Sequence, residues 1–203
     1  MKRWIRLSGL WIAMILLAAC SNGAVLEPDP TPTPENMLVF EEPNGVFTLP
    51  YPDDFNEPTD IGNVLGQKTY VITSPDRRGA LVVGVGLGAD PPTDDVWTES
   101  VSRPDLLQSI GQPLLLESWD EYSRDIDNEA RTVRLEVGSE GAGMHGTIWM
   151  EESDGVMTVI VWAAPDEQSD QYQPQIEETI RGFDWSAERA REAYGAGSEP
   201  GAA

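Results

Sequence analysis

The chain has 203 residues, 35 acidic against 13 basic side chains, a formal charge of −22, one histidine and one cysteine. So acidic a surface repels nucleic acid and anionic lipid headgroups, which makes both poor partners. A single histidine and a single cysteine speak against a zinc site, which needs several such ligands.

The first 20 residues carry the sharpest signal. Lys2, Arg3 and Arg6 precede an apolar run from Leu10 to Leu17, and Leu17-Ala18-Ala19-Cys20 follows. This is the anatomy of a secretory signal peptide. Its apolar part is short of the roughly 20 residues that a membrane span needs. The Leu-Ala-Ala-Cys run resembles the lipobox of bacterial lipoproteins. The resemblance implies that residues 1–19 are removed and that Cys20 becomes a lipidated first residue. It also implies several acyl chains, and two or more anchor stably where one does not. A buried thiol in an uncleaved helix and an ordinary signal with an incidental cysteine are the competing readings. Small residues before Cys20 and a polar stretch after it favour the processed end. Loss of Lys2, Arg3 and Arg6 would make the mature chain more acidic still, and no thiol would remain for disulfides. The expected location is extracytoplasmic, on the cell membrane, or on the outer membrane of a diderm host, where Ser21 would usually permit export.

Residues 20–36 continue as a spacer, "SNGAVLEPDPTPTPEN" after the cysteine. Alternating proline favours an extended, semi-rigid segment with no apolar face to bury. One domain is expected over 37–185. Strands are predicted over Met37–Glu41 and Val46–Tyr51, with the hairpin signal Asn44-Gly45 between them. Lys68–Ser74 and Ala80–Gly88 follow as strands. In the latter, Leu81, Val83, Val85 and Leu87 share one face, and Gly84, Gly86 and Gly88 lie on the other. Residues 94–111 read as helix interrupted at Pro104, while 114–129 are ambiguous. Arg131–Val137, Gly143–Met150 and Val156–Ala163 read as strands, the last two joined by the turn Asp154-Gly155. Tyr172, Ile176, Ile180 and Phe183 recur at helical spacing, with Pro174 placed in the first turn and Gly182 at the end. The tail 186–203 begins as a short polar helix and is then expected to be disordered.

This order is that of an α+β protein with a mainly antiparallel sheet. Val159, Val161 and Ala163 alternate with Val156, Ile160 and Trp162, so both faces of that strand need cover. An α/β/α sandwich follows. At this point the chain resembles the PsbP-like group, whose sandwich is shared with Ran-binding nuclear import factors. The resemblance rests on "NGVFTLPYPDDF", with Phe47, Tyr51-Pro52 and Phe55 in the family's places, Phe55 standing where tryptophan is common. The mid-chain helix, the hairpin 143–163 and the closing "IRGFDW" also follow its layout. Members include extrinsic photosystem subunits and bacterial lipoproteins. The resemblance implies a small binding or assembly-assisting domain. From the photosystem members' manganese- or calcium-binding residues the resemblance carries none over to this chain.

Catalytic signatures are absent. His145 lies in a strand with no nucleophile assigned to it, and there is no Gly-x-Ser-x-Gly elbow. Gly84-x-Gly86-x-Gly88 lies inside a strand rather than before a helix, so it reads as packing glycine and not as a phosphate loop. Two acidic groups are conceivable calcium ligands: Asp120, Asp125, Asp127 and Glu129 with neighbouring Glu121, and Asp90, Asp94 and Asp95. In so acidic a chain such clustering also arises by chance. Of the tryptophans beyond the leader, Trp97 and Trp162 read as core. Trp119 and Trp149, with His145 on the Trp149 face, are the candidates for a binding face, since tryptophan is enriched at interaction hot spots. The expected function is a non-catalytic, membrane-anchored interaction or assembly domain for another cell-envelope protein. The alternative is a small-ligand or calcium-binding lipoprotein.

Overall fold

A computed structural model of the chain describes residues 36–64, 66–88, 91–107 and 119–195. Cys20, the spacer and the end of the tail lie outside the described residues, as do Asp90 and part of the predicted mid-chain helix.

Hydrophobic patterning explains the architecture. The central strand is β9 (Val156–Pro165), the most apolar of the chain. Its Val156, Ile160, Trp162 and Ala164 enter one core, while Val159 and Val161 enter a second on the opposite face. Around it run β3 (Thr59–Val64), β4 (Gln67–Thr73), β5 (Ala80–Leu87), β6 (Asp120–Asp127), β7 (Thr132–Ser139) and β8 (Met144–Ser153). They form a seven-stranded sheet in the order β3-β4-β5-β9-β8-β7-β6, with every neighbouring pair antiparallel.

One face is covered by α1 (Asp94–Ser102), which is capped by Thr93 and buries Trp97 and Val101. Leu106 and Leu107 extend that cover, over Val133, Leu135, Val137, Ile148 and Met150. The other face is covered by α2 (Asp166–Gly182), by α3 (Ala187–Gly195) and by a small separate sheet. That sheet has the order β1-β2-β10, from β1 (Met37–Glu41), β2 (Phe47–Pro52) and β10 (Asp184–Trp185). The expected sandwich is present, and one of its outer layers is part helix and part sheet.

Local chemistry sets the connections. In the β8–β9 turn Asp154 and Gly155 both have positive φ, 51° and 79°, the backbone of a tight hairpin. The β1–β2 turn is built differently from the expected Asn-Gly hairpin. Pro43 and Asn44 are its central residues, the Gly45 amide donates to the Glu42 carbonyl, and only Gly45 has positive φ. The Glu42 carboxylate accepts from the amides of Asn44 and Val46, from the Asn44 side chain and from the Tyr70 hydroxyl. Burial pushes this carboxyl up in pKa, and those four donors outweigh burial to hold it below its ordinary value.

Three sequence expectations need correction. Pro174 lies inside α2, not in its first turn, because that helix starts at Asp166. It is exposed, so the carbonyl left without a donor four residues earlier can be hydrated. Three strands, β3, β6 and the short β10, lie where no strand was predicted. The helix that opens the tail is docked, with Ala190 fully buried against the core that also holds Tyr194.

Candidate functional site

The sole histidine sits where β6, β7 and β8 lie side by side. Gly138 of β7 is directly opposite His145 of β8 and Asp120 of β6. A side chain on residue 138 would come within 2.7 Å of the Tyr122 ring and 2.9 Å of the Met144 carbonyl oxygen. The glycine leaves room for Tyr122 to lie across the strand. Its ring then stacks on His145, with centroids 5.9 Å apart and planes 27° apart. Tyr122 stays half exposed.

Charged side chains continue the site along the same face. Glu136 Oε2 lies 3.5 Å from His145 Nε2 and accepts a hydrogen bond of 3.0 Å from the Thr147 hydroxyl. Arg134 Nε donates to Glu136, and its two terminal nitrogens donate to the Glu177 carboxylate on α2 at 3.0 and 2.5 Å. Gln173 also donates to Glu177. The Arg134 bonds come first among the causes that hold Glu177 below its ordinary pKa; they also raise Arg134, against the opposing effect of burial. Helix and sheet are therefore pinned together by a line of ion pairs, Glu136–Arg134–Glu177, and the Tyr122–His145 stack lies at its Glu136 end. Thr147, whose hydroxyl donates to Glu136, is buried beneath this pair.

The tryptophan pair does not form one binding face. Trp149 packs edge-on against Phe183 on the α2 side. Trp119 packs with the α1-side core and lies over Gly146. The two are on opposite faces of the sheet, and only Trp149 shares a face with His145. Among the described residues the candidate calcium ligands do not converge either. Asp120, Asp125 and Asp127 are spread along β6 at about 3.3 Å per residue, so the outer two are some 20 Å apart. Asp127 Oδ1 is engaged by the amides of Glu129 and Ala130, which shapes the β6–β7 turn. Asp94 pairs with Arg131. Among the described residues no three His, Cys, Asp or Glu side chains are placed to hold a metal ion. A hollow of about 430 Å³ lies beside Pro91, Pro92, Arg131 and Glu152. Its arginine is already bound to Asp94 and to buried Glu152, which also accepts from the Gly155 amide. These bonds hold the turn and occupy the arginine of the hollow.

Tyr122, Arg134, Glu136 and Glu177 were not singled out by sequence reasoning. Register brings them together, and the register of β6 was hidden by a bulge between Glu121 and Ser123.

No family model and no curated protein matches the chain. Solved structures do. PsbP (CyanoP) of the cyanobacterium Synechocystis sp. PCC 6803 aligns at 12% identity with a TM-score of 0.52, over 80% of this chain and 99% of that one. A protein of Bacteroides thetaiotaomicron VPI-5482 aligns at 16% identity with a TM-score of 0.47, over 75% of this chain and 50% of that one. The first match, with the element order above, defines the fold as PsbP-like. At these identities the likeness concerns the fold alone.

Proposed function

We propose that the protein is a membrane-anchored extracytoplasmic lipoprotein whose PsbP-like domain binds or helps to assemble another cell-envelope protein, without catalysis of its own. The observation that carries this reading is Leu17-Ala18-Ala19-Cys20, set between a basic, apolar leader and a proline-rich spacer. The cysteine supplies the anchor. The spacer supplies reach, about 3.1 Å per residue when extended. Tethering raises the effective concentration of the domain near membrane partners.

The test is in-cell cross-linking of the full-length chain with affinity capture and mass spectrometry, alongside Cys20→Ser. Metabolic labelling with a fatty acid reports lipidation directly, with label expected on the parent and not on the variant. One stoichiometric envelope partner, lost in Cys20→Ser, is the expected outcome. An unlabelled parent chain would refute the anchor, and a labelled chain with no partner above background would refute the interaction role.

A further inference from the structure

The two cores leave part of the large sheet uncovered. On the α2 side, α2 packs on β2, β9 and β8, and α3 packs on β5 and β9. Beyond them Tyr122, Ser123 and Asp125 of β6 stay exposed. Arg124 and Ile126, which alternate with them, point the other way: Arg124 donates to the carbonyls of Val101 and Arg103, and Ile126 joins the α1-side core. One face of the edge strand is thus used by the fold, and the other is open.

The open face has a definite chemistry. At its centre is the Tyr122–His145 stack, held flat over Gly138. Three carboxylates from three different elements bear on the tyrosine: Glu140 in the β7–β8 turn, Asp120 on β6 and Asp166 at the start of α2. After burial, they are the causes that push its hydroxyl up in pKa. All three are exposed, and none has a cationic partner among the described residues. By contrast, Glu136 already has Arg134, and Arg134 is held in place by Glu177. The face therefore combines an exposed aromatic surface with an uncompensated negative rim. Aromatic faces attract cations, and the planar guanidinium both stacks on a ring and binds carboxylates in a fork.

Resting on the interaction role proposed above, we propose that this open face, centred on Tyr122 and His145 and rimmed by Asp120, Glu140 and Asp166, docks an arginine-bearing basic segment of the protein partner. The arginine stacks on Tyr122, and the rim carboxylates receive its N–H groups. The surrounding acidic surface steers the basic segment in.

The test titrates the full-length chain, in neutral detergent micelles at low salt, with a nona-arginine peptide, read by calorimetry. Three changes at the rim, Asp120→Asn, Glu140→Gln and Asp166→Asn, are compared with three charge-matched changes elsewhere, Asp95→Asn, Glu99→Gln and Asp184→Asn. The rim set is expected to weaken binding about tenfold and the control set less than about threefold, since pairs at a docking centre count for more than dispersed surface charge. Tyr122→Leu is expected to weaken binding about fivefold while Tyr122→Phe retains it, as a stacking role requires. Unchanged melting temperatures verify that the variants fold. Equal losses in the two charge sets would overturn the proposal in favour of diffuse surface attraction. No binding, or indifference to Tyr122→Leu, would also overturn it. If capture in cells succeeds while the peptide result fails, the docking face falls and the interaction role stands. If the peptide result holds while capture fails, the partner falls and the cation-binding face stands.

Discussion

Strands β9 and β6 belong to one sheet and have opposite characters. β9 is central, and its side chains fill both cores. β6 is an edge strand with the sequence DEYSRDID, bulged and mostly exposed. The contrast separates two tasks. The middle of the sheet supplies the stability of the fold. The edge supplies charge, and a charged, bulged edge resists unwanted pairing with other strands. An edge of this kind is also free to carry recognition, because few of its side chains are needed by the core.

Substitutions should reveal this gradient. The steepest loss is expected at Gly146 of β8, where an added Cβ would lie 2.3 Å from the Trp162 backbone oxygen of β9. Backbone cannot step aside as a flexible side chain can, so Gly146→Val should destabilise by about 3 kcal/mol or more in urea titration. Ile160→Ala, in β9 itself, removes a buried side chain and should cost about 2–5 kcal/mol by the same measurement.

Glu42 provides the next step, and its effect depends on pH. Its folded-state pKa is lowered from 4.5. A lowered carboxylate contributes stability that is present above the unfolded value and is lost as pH falls through the folded value. Glu42→Gln should therefore cost about 2 kcal/mol at pH 7, in line with hydrogen bonds to a charged group. The parent should lose stability below about pH 4.5 more steeply than the variant does. Parallel urea titrations at pH 7 and pH 3 would check this; an unchanged gap between the two chains would contradict it. The smallest effect is expected on β6, where Asp125→Asn should change stability by no more than about 0.5 kcal/mol. A larger loss there would break the contrast between centre and edge.

Much of this gradient was legible from the sequence. Apolar residues on both faces of 156–163 announced a strand covered on both sides, and Asp154-Gly155 announced its hairpin. The edges were not legible, for a physical reason. Strand patterning reflects burial, and an edge with one open face buries little. β3, TDIGNV, has a bulge between Asp60 and Gly62 and an exposed Ile61. β6 loses its alternation at its own bulge. The candidate site suffered most, since Tyr122, Gly138 and His145 lie on three strands that meet only through register. Tryptophan content pointed instead to Trp119 and Trp149, and packing separates these across the sheet. The acidic run 120–129 looked like a ligand set only while it was free to be a loop; the extended strand over 120–127 spaces its carboxylates apart.

The most direct test of the account places a photo-cross-linking residue in the full-length chain in cells, in place of Tyr122 in one experiment and of Ile61 on the opposite sheet edge in another. Both positions are about half exposed and both lie on edge strands. The account predicts one dominant adduct at position 122, mapped to an arginine-bearing segment of an envelope protein, and none at position 61. Equal adducts at both positions, adducts only at 61, or an adduct at 122 on a segment without basic residues would contradict it.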